Sequence, residues 1–185
     1  MGNPKDRYIN IVATADASAP HGVSFAMEEN GVNVTTLLFD KTADKMKKWD
    51  EYHVHFHLVN QPGVDLWFTD NLDNAMWAYS DTAAPPPCPP PPGSSMKNEF
   101  DVINLDKDQM TLNVRNKDTN REWLTFCFNF LPNGQKDDPT QYVPYDPIGQ
   151  NTDGGSRFSS ATLITAAVAA VAVVAVVAIV GTKYL

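Results

Sequence analysis

The chain has 185 residues, with 14 Lys and Arg against 22 Asp and Glu, for a formal charge of −8. Removing Arg157 and Lys183 from the basic count leaves twelve against twenty-two, so residues 1–156 carry −10. That balance argues against DNA or RNA as partner, because phosphate backbones need a concentrated basic patch and the single lysine cluster, "DKMKKWDE", is diluted by acids.

The opening stretch, "MGNPKDRYINIV", has no apolar core of signal-peptide length, since Pro4, Lys5, Asp6 and Arg7 interrupt it. A cytoplasmic domain is the resulting expectation, with the opposite membrane face left open. "YINIVATA" then alternates, with Tyr8, Asn10 and Val12 on one side of a strand and Ile9, Ile11 and Ala13 on the other. After an Asn30-Gly31 turn, "VNVTTLLF" at 32–39 is rich in β-branched and apolar residues. A single helical turn is predicted near "TADKMKKWDE".

"YHVHFHL" at 52–58 holds three of the four histidines at every second position. A strand puts Tyr52, Val54, Phe56 and Leu58 on a core face and His53, His55 and His57 on the opposite one. Histidines two apart stand about 6.6 Å from each other and can share a metal ion, whereas the outer pair, about 13 Å apart, is too distant. A zinc or copper site would therefore use one adjacent pair and a ligand from a neighbouring strand, a carboxylate or Cys127. The competing reading is a half-wet strand face that merely tolerates histidine. No other cofactor is expected.

Further strands are predicted at "VDLWFTD" (64–70), "MTLNVRN" (110–116) and "WLTFCFNF" (123–130), separated by turn signals at Gln61-Pro62-Gly63, Asp106–Asp108 and Asn116–Asn120. In the last of these strands Leu124, Phe126, Phe128 and Phe130 face the core, leaving Thr125, Cys127 and Asn129 outward. Between the strands, "AAPPPCPPPPGSS" at 83–95 is an extended polyproline connection. Cys88 in that run and Cys127 are the two cysteines: in an exported domain they would pair, in a cytosolic one they would be two thiols, and the missing export signal favours thiols.

Short strands at near-regular spacing predict an all-β fold, an immunoglobulin-like antiparallel β-sandwich over residues 1–131. Residues 132–157, rich in Pro and Gly, read as an extended tether partly laid over the sandwich, able to reach on the order of 90 Å when stretched. Residues 161–180, "ATLITAAVAAVAVVAVVAIV", carry no charge, and twenty residues of helix span about 30 Å, the thickness of a bilayer's hydrocarbon core. A single C-terminal transmembrane helix within 158–185 is the expectation, giving a tail-anchored, single-pass protein. Eight of those twenty residues are Ala. Ala161, Thr165 and Ala169 repeat at i, i+4, i+8, as do Ala166 and Ala170 at i, i+4. Such rows let a second helix approach closely, which suggests packing in a larger membrane complex. An anchor that is alanine-rich by accident is the alternative.

The segment from "CPPPPGSS" through "FDVINLDKDQMTLNVRNKDTNREWLTFCFNF" to "YDPIGQNTDGG" resembles small bacterial β-sandwich proteins of unassigned function, the DP-EP type, over about 85–155. The resemblance implies an immunoglobulin-like fold and carries over no functional residue. No Ser or Cys sits in a recognisable nucleophile turn, and neither a phosphate-binding glycine loop nor a helical His-Glu zinc motif occurs. The expected function is thus non-catalytic: an accessory or scaffolding subunit whose acidic domain binds a protein, or alternatively a metal-binding module using the His-x-His-x-His strand.

Overall fold

A computed structural model describes residues 3–80, 100–119, 122–132 and 137–152. In chain order the strands are β1 (Pro4–Ala15), β2 (Val23–Glu29), β3 (Val32–Val34), β4 (Thr36–Asp40), β5 (Glu51–Asn60) and β6 (Leu66–Phe68). They continue with β7 (Met76–Ser80), β8 (Phe100–Leu105), β9 (Thr111–Asn116), β10 (Glu122–Pro132), β11 (Val143–Tyr145) and β12 (Ile148–Thr152). The described fold is all-β, apart from one α-helical turn at Leu72–Ala75 and two short 3-10 turns.

The first sheet runs β3-β2-β1-β5-β9-β8. In the second, β10 is flanked on one side by β6 and β7 and on the other by β11 and β12, with β4 beyond β12. Most pairs are antiparallel, as expected, but β1–β5 and β4–β12 are parallel. Parallel neighbours need a long return connection, and both pairs have one, because several strands intervene between the partners.

Alternation places the core. Tyr52, Val54, Phe56 and Leu58 of β5 are at most 1% exposed, and Leu124, Phe126, Phe128 and Phe130 of β10 match them from the other sheet. β-branched and aromatic side chains suit a pleated surface buried on one face. The two sets meet in an aromatic cluster, with Phe56 and Phe128 centroids 4.7 Å apart and Phe100 edge-on to Phe126 at 5.4 Å, distances at which ring pairs attract.

Three expectations change. Residues 143–152 are not tether: β11 and β12 pair with β10 in the second sheet, so the described fold extends past 131 to Thr152. Gly149 makes this possible, since a Cβ there would stand 2.5 Å from Phe126 Cε2; only a bare backbone crosses that ring. Second, Cys127 and Asn129 do not face water; they are 4% and 0% exposed. The short helix covers Asn129, whose Nδ2 donates to the Asn74 carbonyl at 2.6 Å. Cys127 is disulfide-bonded instead of a free thiol; Cys88 lies outside the described residues. Third, residues 41–50 form a series of turns with Lys45 at φ +56°, not a helix. The buried Lys41 ammonium pins them by donating to the carbonyls of Lys48, Lys117 and Asp118 at 3.2, 2.5 and 3.0 Å.

Among the described residues no helix is long and apolar enough to cross a membrane. The proline run, the 161–180 segment and its packing residues Ala161, Thr165, Ala166, Ala169 and Ala170 lie outside them.

Candidate functional site

The outward face of the first sheet is a ladder of polar side chains. Strand register sets three rows across β1, β5 and β9: Asn10–His57–Thr111, Tyr8–His55–Asn113 and Asp6–His53–Arg115. The histidine alternation was legible in sequence; its partners were not, because they come from strands some fifty residues away on either side.

The central row is the most ordered. The Tyr8 ring stacks on His55 at 4.6 Å between centroids and 13° between planes, while staying 66% exposed. Asn113 Nδ2 is turned to Asn104 Oδ1 at 2.6 Å and Asp106 Oδ1 at 3.0 Å. Its Oδ1 is therefore the acceptor that meets His55 Nδ1, 2.6 Å away. His55 Nε2 faces Asp6 Oδ1 at 3.1 Å. Both ring nitrogens thus lie within hydrogen-bond reach of side-chain oxygens. On either side, His57 Nδ1 lies 3.0 Å from Thr111 Oγ1, and His53 Nε2 lies 3.2 Å from Glu51 Oε1. In the third row Arg115 bonds Asp101, which holds that carboxyl below its ordinary value despite partial burial.

This geometry bears on the metal reading. The neighbours of β5 are β1 and β9, so Cys127, in the other sheet and disulfide-bonded, is no third ligand. Among the described residues no group of three or more His, Cys, Asp or Glu side chains is placed to hold a metal ion. His53, His55 and His57 instead bond to oxygen groups beside them.

Next to Tyr8 lies a cleft of about 310 Å³. It exists because β2 pairs with β1 only from Ile9 onward and then turns away at Asn30-Gly31. Arg7 forms its floor: Nε and Nη2 reach the two Glu29 oxygens at 2.8 and 2.6 Å, and Nη1 donates to the Leu38 carbonyl at 2.5 Å. The guanidinium also lies 4.8 Å from the Phe39 ring centroid, so this nearly buried cation is held by a carboxylate, a carbonyl and a ring face. Beside it Asp44 accepts from Lys5 at 2.5 Å and from the Tyr52 hydroxyl at 2.9 Å. Burial alone would raise the Asp44 carboxyl, but those two hydrogen bonds outweigh it and hold the group low. Burial, reinforced by Asp44, drives the Tyr52 phenol far above its ordinary value. The cleft is a structural junction more than a reactive one, because its charges are already paired with each other.

No protein-family model matches this chain, and no curated protein matches it.

Proposed function

We propose that the chain is a non-catalytic accessory or scaffolding subunit, anchored by a transmembrane helix at 161–180, whose β domain binds a protein through the outward face of its first sheet. Tyr8 carries this reading. A two-thirds exposed aromatic ring, held by stacking on His55, is a preformed anchor of the kind that dominates protein interfaces. The surrounding hydrogen bonds fix the side chains in advance, which lowers the entropy cost of binding. The charge of −10 on residues 1–156 favours a partner surface that presents basic groups.

Two features refine the setting. The disulfide at Cys127 supports a domain that matures on an oxidising side of the membrane, in preference to the cytoplasm. The rows Ala161, Thr165, Ala169 and Ala166, Ala170 support close packing against another helix. The two facing sheets also support an immunoglobulin-like sandwich of the DP-EP type, with the parallel β1–β5 and β4–β12 pairs as its own variation.

The test is extraction of the full chain in mild detergent, with mass spectrometry of what accompanies it. A defined partner should co-purify with the wild type and be lost from Tyr8→Ala. It should also be weakened by the double change Ala169→Leu, Ala170→Leu. Retention of the partner by Tyr8→Ala would remove the sheet face from the proposal.

A further inference from the structure

The register between β4 and β12 says where the chain leaves the folded unit. These strands are parallel, and Thr152, the last residue of β12, pairs with Asp40, the last residue of β4. The chain therefore departs from the same end of the sheet at which the 41–50 turns begin. Eight residues, 153–160, separate Thr152 from the apolar segment, and they span at most about 30 Å. The 41–50 turns thus share the end of the domain from which the link to the apolar segment starts.

That end is unlike the rest of an acidic domain. Trp49 is 67% exposed, the most exposed large apolar side chain among the described residues. Lys45, Lys47 and Lys48 around it are exposed too, and the Lys47 ammonium lies 5.8 Å from the Trp49 ring centroid. The acids of the same stretch are engaged elsewhere. Asp44 pairs with Lys5, and the buried Asp50 accepts the backbone N–H groups of Asn3 and Lys47. Asp40 accepts the N–H of Ala43, and Glu51 meets His53. The fourth lysine, Lys41, is turned inward to fix the loop's shape. Trp49 and the exposed Lys45, Lys47 and Lys48 thus share one loop, with the Lys47 ammonium beside the ring.

We propose that the 41–50 loop docks on anionic phospholipid, with Trp49 seated at the headgroup level and Lys45, Lys47 and Lys48 bound to headgroup phosphates. Indole rings prefer the membrane–water interface, and lysines near an anionic leaflet are drawn to it. This rests on the anchored reading above and adds an orientation to it. The loop lies outside the outward face of the first sheet, so lipid and a protein partner would use different surfaces of the domain.

The experiment uses the full chain with vesicles of phosphatidylcholine alone or mixed with phosphatidylglycerol, each containing phosphatidylcholine brominated on the upper acyl chain. Flotation reports attachment, and the quenching lost on Trp49→Phe reports contact of that ring with lipid. The expected result is flotation with both vesicles and Trp49 quenching only with the anionic ones. Each lysine changed to Gln should weaken docking roughly fivefold, so Lys45→Gln, Lys47→Gln, Lys48→Gln together should abolish the quenching without affecting flotation. Flotation with both vesicles but no Trp49 quenching in either overturns the docking and leaves the anchor standing. Flotation with anionic vesicles alone, dependent on Trp49 and the lysines, supports the docking and removes the anchor. Flotation with neither overturns both.

Discussion

β5 and β10 are written in the same alternating code and meet opposite fates on their second faces. Both send four apolar side chains into one core, where all are at most 1% exposed. Behind β5 the alternate residues form a wet ladder of histidines hydrogen-bonded to Asn113, Thr111 and Glu51. Behind β10 Cys127 and Asn129 are covered, at 4% and 0% exposed, and Asn129 bonds to the short helix, while Thr125 is half-buried. Alternation thus tells which residues share a face. What covers that face depends on elements far away in sequence.

The largest effects should be equal on the two strands, because their core faces are equivalent. Phe56→Ala and Phe128→Ala each remove a ring from the same cluster and should each cost about 3–5 kcal/mol, measured by denaturant unfolding. A large inequality between them would mean that the sheets do not share one core.

The second faces should then separate the strands. Asn129→Ala removes the 2.6 Å donor from the part-buried Asn74 carbonyl and leaves a gap at a fully buried position, and should cost about 1–3 kcal/mol. His57→Ala changes an exposed residue and should stay within about 0.5 kcal/mol. Equal losses at the two sites would contradict the covered-versus-wet distinction.

This contrast also explains how much was readable beforehand. The core residues of β5 and β10, and the outward direction of Tyr8 and the three histidines, follow from period-two patterning alone. The Tyr8–His55–Asn113 row does not, because it requires knowing that β1 and β9 flank β5 and in which register. Residues 143–152 differ from the expected tether for a related reason. Pro144, Pro147 and Gly149 look like breakers, yet Pro144 sits in a strand of three residues, Pro147 between the two strands and Gly149 in a strand of five, where Gly149 lets the backbone cross Phe126. Local composition favoured a tether, and tertiary packing prevailed.

The cover over β10 has its own fastening, and its pH dependence is the subtlest test of the contrast. Asp137 accepts hydrogen bonds from Thr69 at 2.6 Å, Asn71 at 2.9 Å, Asn74 at 3.4 Å and the Tyr142 hydroxyl. Partial burial would raise its carboxyl, but these donors outweigh it and hold it below the ordinary carboxylate value. Burial and the Asp137 charge push the Tyr142 phenol up to about 12. A carboxyl depressed in the folded state contributes stability above its unfolded value, near about 3.9, and loses it as pH falls through the folded value. Asp137→Asn should therefore cost about 1 kcal/mol near neutral pH, after allowing for solvent screening of a half-exposed group. The gap from wild type should narrow on acidification below about pH 4. Denaturation curves across that range decide the matter. A gap that stays constant would mean the side chain acts through shape alone, and a gap that widens in acid would reverse the sign argued from its four donors.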